Sequence, residues 1–268
     1  MTRNVILCAD DFGQSAAISE GILRLVDTGR LSAVSAFSQS PHWPEAGRRL
    51  LAYPVDLGLH FNLTHPFTAM ARPLSYWLVR SRLPGLSRQE LLAEFLRQID
   101  AFADIVGALP DFIDGHQHVH ALPVVRDALS DAIALRWTGR DGPRLRPGPY
   151  VRAPDALAHG GDSPFKAGIL AWACRGFKAH LRTNGLQYPE WFGGLYSLHA
   201  SADFPALLAM WLDACPERGL LMCHPGMTDD DDSDPIAAAR QREYAYLAGD
   251  SFVELCRAGD IRLARFTR

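Results

Sequence analysis

Four short motifs carry residue types used in hydrolytic chemistry, and each follows an apolar run. Asp10-Asp11-Phe12-Gly13 comes directly after Val5–Ala9. Two adjacent carboxylates at the end of an apolar strand are costly unless something binds them, and a metal ion is one such partner. Neighbouring side chains on an extended chain point in different directions, so one acid can hold a metal while the other stays free as a base. The plainer alternative is an acidic pair at a helix N-terminus, with Ser15 as the cap. Gly58-Leu59-His60-Phe61-Asn62 ends another apolar run. His60 there is either a ligand or a hydrogen-bonded core histidine, as is His65 beyond it. Asn62 joins the candidate substrate contacts.

Asp114-Gly115-His116-Gln117-His118-Val119-His120 is the densest signal, with three histidines at alternate positions behind Phe112-Ile113. Pro123 suits the first position of a helix, which leaves residues 117–122 as the loop before it. His116 then stands at a strand end, and His118 and His120 lie further out, lining the cleft. Neutral imidazoles are good ligands for divalent transition metals. Leu221-Met222-Cys223-His224-Pro225-Gly226 places His224 at another strand end, as a general acid or as a capping and packing group. Cys223 reads as core rather than as a thiol nucleophile. Arg152 is open to three readings: contact with an acidic substrate, orientation of Asp10, or a structural ion pair. Trp77, Tyr188 and Trp191 either form an aromatic wall that stacks on substrate rings or fill the core.

The elements that must position these groups are short apolar runs separated by helical patterns. Candidate strands are Val5–Ala9, Ala33–Ser38, Asp56–Phe61, Asp111–Gly115, Tyr150–Arg152, Gly194–Ser197, Leu220–Cys223 and Ile261–Phe266. Helical spacing marks Ser15–Asp27, Arg88–Val106, the segment after Pro123, Phe204–Ala214 and Ile236–Cys256. This alternation predicts an α/β fold, an irregular TIM-barrel-like (β/α) barrel forming a single domain over residues 1–268. No GxGxxG follows the first strand, which removes support for a dinucleotide-binding sheet. In a barrel the C-terminal strand ends converge on one rim, so Asp11, His60, His116 and His224 can meet there. Two imidazoles and a carboxylate with open positions for water make a hydrolytic metal site. His65–Ser87 and Gly139–Pro149 read as long substrate loops, and the acidic run Asp229–Asp234 as a solvated one.

Composition narrows the classes further. A net charge of −3 argues against nucleic-acid binding. Five dispersed cysteines suit a reducing compartment, and no signal peptide or membrane span is present, so the expected location is cytoplasmic. A homodimer is left open. No serine nucleophile elbow or P-loop occurs.

Taken together, Ala9-Asp10-Asp11-Phe12-Gly13, Gly58-Leu59-His60, Asp114 to His120 and Cys223-His224-Pro225-Gly226 make the chain resemble the YdjC family of carbohydrate deacetylases. That family includes the ChbG chitooligosaccharide deacetylases and the HpnK proteins of hopanoid gene clusters. The resemblance spans almost the whole chain. It implies an irregular (β/α) barrel, a divalent cation (Mg2+ or Zn2+), and removal of acetyl from N-acetylglucosamine units of an oligosaccharide or glycolipid. It implies Asp11, His60 and His116 as metal ligands, Asp10 as base, and His224 as a polar group near the reacting carbonyl. Rival readings are a non-catalytic metal- or sugar-binding module, a metal-dependent phosphoesterase on the same rim, and a deacetylase of a non-carbohydrate amide. A phosphoesterase should gather Arg or Lys at the metal, and the motif loops carry none.

Overall fold

The computed structural model describes residues 2–137, 148–157, 161–227 and 234–266. Its strands are β1 (Arg3–Phe12), β2 (Ala33–Ala36), β3 (Asp56–Phe61), β4 (Phe112–Gly115), β5 (Tyr150–Val151), β6 (Phe192–Gly193), β7 (Leu220–Cys223) and β8 (Ile261–Leu263). Its helices are α1 (Ala16–Asp27), α2 (Trp43–Leu50), α3 (Leu74–Arg80), α4 (Arg88–Val106), α5 (Val125–Trp137), α6 (Pro164–Ala173), α7 (Phe177–Thr183), α8 (Phe204–Ala214), α9 (Ala237–Ala248) and α10 (Asp250–Ala258). Among the described residues one parallel sheet runs β5-β4-β3-β2-β1-β7-β6, with β8 beside β1. Parallel neighbours need a crossover after each strand, which the helices provide.

The sheet curls without closing on a continuous ladder. Between β5 and β6 only single bridges occur, Tyr150 to Gln187 and Leu157 to Phe192. The irregular barrel expected from the alternation is therefore present, with its seam at the two shortest strands. β1 is the hub: Arg3–Val5 pair with β8, Ile6–Ala9 with β7, and Cys8, Ala9 and Phe12 with β2. Val5 to Phe12 are all buried, as a strand covered on both faces requires.

Helix α4 shows how the wall is held. Ser87 caps it by accepting from the Glu90 amide, and Gly107 ends it with a left-handed backbone, φ 72°. Leu91, Phe95, Ile99 and Phe102 recur at helical spacing and are fully buried. The Phe95 ring stacks on Phe61, centroids 3.5 Å apart, and Phe102 stacks on Trp43 at 5.2 Å. At the opposite end from the strand C-termini, the chain after β8 folds under the barrel. Arg265 Nε pairs with Asp56 Oδ1 at 2.5 Å, the Phe266 amide donates to Asp56 Oδ2, and the Phe266 ring lies 4.3 Å from Tyr150.

Several boundaries differ from the sequence reading for identifiable reasons. The sixth strand is Phe192–Gly193, not Gly194–Ser197, because Gly194 turns left-handed (φ 99°) hard against the Met222 backbone. Pro123 does not open α5; Val124 is left-handed and the helix begins at Val125. The expected Ile236–Cys256 helix breaks at Gly249, whose backbone is extended, giving α9 and α10. The loop expected at His65–Ser87 contains α3. Residues 139–147 of the second expected loop and residues 229–233 of the acidic run lie outside the described residues.

Candidate active site

The two acids of β1 diverge through a bulge rather than simple strand alternation. The β1–β2 register shifts between Ala9 and Phe12, and Asp11 has φ 64°. A left-handed non-glycine residue costs on the order of 1–2 kcal/mol, so the surroundings must hold it. They do so with ion pairs. Asp11 Oδ2 meets Arg240 Nη2 at 2.8 Å, while Asp11 Oδ1 lies 3.3 Å from His60 Nε2 and 3.1 Å from His116 Nδ1. Burial would raise the Asp11 carboxyl; Arg240 and then His116 hold it well below the usual carboxylate range.

Register explains His60. The β3–β4 ladder sets it opposite Asp114, and His60 Nδ1 reaches Asp114 Oδ1 at 2.7 Å. Ser35 Oγ touches both, at 3.0 Å and 2.5 Å. With Nδ1 so engaged, Nε2 is left for the Asp11 side, the arrangement that orients a ligating imidazole. Burial works against charging this ring, but Asp114 and Asp11 push it up to about 10. Gly58, two residues earlier, makes room for the Phe112 ring: a Cβ there would sit 2.2 Å from it, so the ring would have to shift. Beyond β3, Gln98 of α4 pins the chain by accepting from the Asn62 amide at 2.9 Å and donating to the Asn62 carbonyl at 2.8 Å.

His116 follows β4 directly. Gln117 and His118 are both left-handed, φ 52° and 60°, and this turn undoes the alternation expected of the three histidines. His116 faces Asp11 and a cavity of about 1030 Å³. His118 also contributes to that cavity's wall, packed against Phe192. His120 does not line the cleft: it is fully buried, and its Nε2 donates to the Arg152 carbonyl at 2.9 Å. Burial keeps both rings neutral, His118 well below its ordinary value and His120 down to about 4.

Two further expected substrate contacts are corrected by burial. Asn62 is a turn residue: its Oδ1 accepts from the Thr64 and His65 amides, and its Nδ2 donates to the His65 carbonyl. Arg152 is fully buried, so it cannot meet an acidic sugar. Its guanidinium grips both oxygens of Asp10 at 2.6 Å each and lies 2.6 Å from Asp114 Oδ2. Of the three readings of Arg152, the ion pair and the orientation of Asp10 are one and the same contact. Burial would raise the Asp10 carboxyl, yet Arg152 holds it well below the usual range. Cys8, Asp10 and Asp114 also lie close enough to share an ion, but this guanidinium already fills the space between them.

His224 lines the cavity with Nε2 3.9 Å from Asp10 Oδ2. Its backbone amide donates to Glu243 Oε2, and Tyr196 Oη donates to Glu243 Oε1 at 2.6 Å. Burial lowers the His224 ring and lifts Glu243 to about 7. Burial also pushes the Cys8 and Cys223 thiols well up, so neither is a ready thiolate. Trp77 is core; its Nε1 donates to the Leu63 carbonyl. Neither it, Tyr188 nor Trp191 lines the cavity.

Arg240 and Glu243 were not visible as site residues in the sequence. Both are on the inner face of α9 with Ala239 and Leu247, and two charged residues on a buried stripe were the available signal. Arg240 also changes the basic balance of the rim: Arg152 and Arg240 both reach the site, though each is bound to carboxylates.

The donor set tests well for a cation. Asp11, His60 and His116 offer one carboxylate oxygen and two imidazole nitrogens, all within 4.8 Å of one another. Arg240 occupies the other Asp11 oxygen and Asp114 the other His60 nitrogen, which leaves Asp11 Oδ1, His60 Nε2 and His116 Nδ1 as the atoms that could meet a cation. Fold and site together define an α/β barrel whose C-terminal rim gathers an Asp-His-His cluster that could hold a cation.

The sequence model of the YdjC-like protein family matches residues 4–258, and the chain belongs to that family. It is 33% identical to a chitooligosaccharide deacetylase of Serratia marcescens over 135 residues, 47% of this chain and 53% of that protein. The matched stretch thus spans about half the length of that relative. It is 26% identical to a carbohydrate deacetylase of Mus musculus over 250 residues, 83% of this chain and 77% of that protein. Among solved structures, a protein of Enterococcus faecalis V583 named for cellobiose-phosphate cleavage superposes with a TM-score of 0.72. It is 21% identical, with 99% of this chain and 98% of that one covered. At this identity the likeness speaks for the fold.

Proposed function

We propose that this chain is a metal-dependent hydrolase that removes the acetyl group from an N-acetylated sugar, an N-acetylglucosamine-containing oligosaccharide or glycolipid. The observation that carries the reading is the meeting of Asp11, His60 and His116 from three strand ends, with Asp10 held beside them and free of the donor set. The names of the curated relatives support the substrate class.

Asp11 Oδ1, His60 Nε2 and His116 Nδ1 would hold Mg2+ or Zn2+, which when bound polarises a carbonyl and acidifies water. Asp10 takes the proton from the attacking water. The Arg152 clamp fixes the plane of its carboxylate and keeps it ionised, so a proton taken there is passed on rather than retained. His224, held neutral by burial with Nε2 3.9 Å from Asp10 Oδ2, takes the proton over through one bridging water and returns it to the departing amine nitrogen. The new C–O bond replaces the C–N bond, releasing acetate and the free amine. Among the described residues no helix is long and apolar enough to cross a membrane. Five free cysteines suit the cytoplasm, which with a single domain and an open homodimer completes the proposal.

The test is acetate release from a panel of N-acetylglucosamine oligosaccharides and glycolipids, before and after chelation, with Mg2+ or Zn2+ restored. Release that stops on chelation and returns with metal is expected. Release that survives exhaustive chelation, or none from any member with either metal, overturns the reading.

A further inference from the structure

The lip of the cavity has a composition that neither the site chemistry nor the core explains. Tyr76, Val79, Leu83, Phe165, Ile169 and Trp172 are six of the nine large apolar side chains exposed among the described residues. They lie on α3, the turn after it, and α6. Phe165, Ile169 and Trp172, at i, i+4 and i+7, form one stripe along α6, and Tyr76 and Val79 share a face of α3 with Leu83 in the turn beyond it. Phe165 is 78% exposed and Trp172 56%. Arg82 joins the two elements: its guanidinium lies 3.9 Å over the Trp172 ring and donates to the Trp172 and Ala173 carbonyls. Leu74, Leu78 and Leu170 of the same helices line the cavity, so the exposed patch is its outer edge.

Charge on the lip is one-signed. Residues 72–83 and 163–175 carry Arg72, Arg80, Arg82, Lys166 and Arg175 and no acid, in a chain whose net charge is −3. Four of these five bind backbone carbonyls in the described structure. Contiguous exposed apolar surface marks an interaction site, and aromatic and aliphatic stripes edged by Lys and Arg fit an anionic lipid surface.

We propose that the α3–α6 lip seats on an anionic lipid surface, so that the cavity opens toward molecules held there. The proposal stands independently of the acetyl-removal chemistry. The test is co-sedimentation of the whole protein with vesicles of phosphatidylcholine alone or mixed equally with phosphatidylglycerol. The protein is expected to pellet with the mixed vesicles at low salt, to leave them at high salt, and to ignore the neutral ones. Phe165→Glu with Trp172→Glu should lower partitioning at least about 10-fold, since both inserting rings are lost. Leu51→Glu with Met210→Glu, apolar sites exposed outside the lip, should partition as the parent does. Equal binding to neutral vesicles, no binding to mixed ones, or an unchanged Phe165/Trp172 variant overturns the proposal. So does a solution dimer that this variant makes monomeric, because the lip would then seat a second copy of the chain.

Discussion

Replacing Arg152 with Met keeps the unbranched apolar stem of the side chain and removes the guanidinium from between two carboxylates. Asp10 is 2% exposed and Asp114 fully buried, and the guanidinium makes three contacts of 2.6 Å to them. Breaking a buried pair by deleting one partner costs about 3–5 kcal/mol, because the other charge stays behind unpaired. At about 2–4 °C per kcal/mol for a chain of this size, the melting temperature should drop by roughly 6–20 °C at pH 7.5. The pH dependence has a definite sign. In the parent the Asp10 carboxyl is held low, so it stabilises the fold above the unfolded carboxylate value of about 3.9 and loses this only as pH falls through its depressed folded value. In the variant burial acts without the guanidinium and raises the folded value above the unfolded one. Stability then falls as pH rises past about 4, so the deficit is large at pH 7.5 and smaller at pH 5. Circular-dichroism melts of both proteins at the two pH values measure this. Arg152→Lys should fall between them, since an ammonium cannot grip both Asp10 oxygens as a fork. A Met variant that melts with the parent at pH 7.5, or a deficit equal at both pH values, refutes the clamp.

Asp10→Asn should keep cation affinity, measured by calorimetry, while acetate release falls at least about 100-fold. His116→Ala should do the reverse in order of cause, weakening cation affinity at least about 100-fold before any rate is considered. Parent-like turnover by the Asn protein removes Asp10 as base, and parent-like cation affinity in the Ala protein removes His116 from the donor set. Gly58→Ala pushes a methyl into the Phe112 ring and should cost about 1–3 kcal/mol in urea unfolding; an unchanged midpoint would mean the ring moves freely.

The strands were the most legible part of the sequence because β1, β3, β4 and β7 are apolar runs with few alternatives, and their ends announce Asp11, His60, His116 and His224. What stayed hidden was set by tertiary contact. The alternate histidines suggested a cleft lined by three rings, but two consecutive left-handed residues turn His120 into the core. Asn62 looked available for a substrate because its position beside His60 says nothing of the turn it closes. Arg240 acts on Asp11 across 229 residues, and no local pattern reports such a distance. Helix α3 sits inside His65–Ser87, where three prolines and Gly85 read as a loop, and the sequence reading assigned no element to the stretches of α2, α6 and α7. Pro123 misled in the other direction, since the Val125 amide bonds its carbonyl in a turn before the helix starts.

The hub position of β1 has a consequence for synthesis. Of its three partners, β2 leaves the ribosome early, but β7 begins at Leu220 and β8 at Ile261. Until Leu220 is synthesised the first strand therefore lacks neighbours along much of its length, and Asp11 waits longer still for Arg240. Contacts this distant in sequence form slowly and leave apolar edges open meanwhile. The nascent chain should keep apolar edges of β1 open until Leu220–Cys223 emerges, and the rim cannot assemble before α9 arrives.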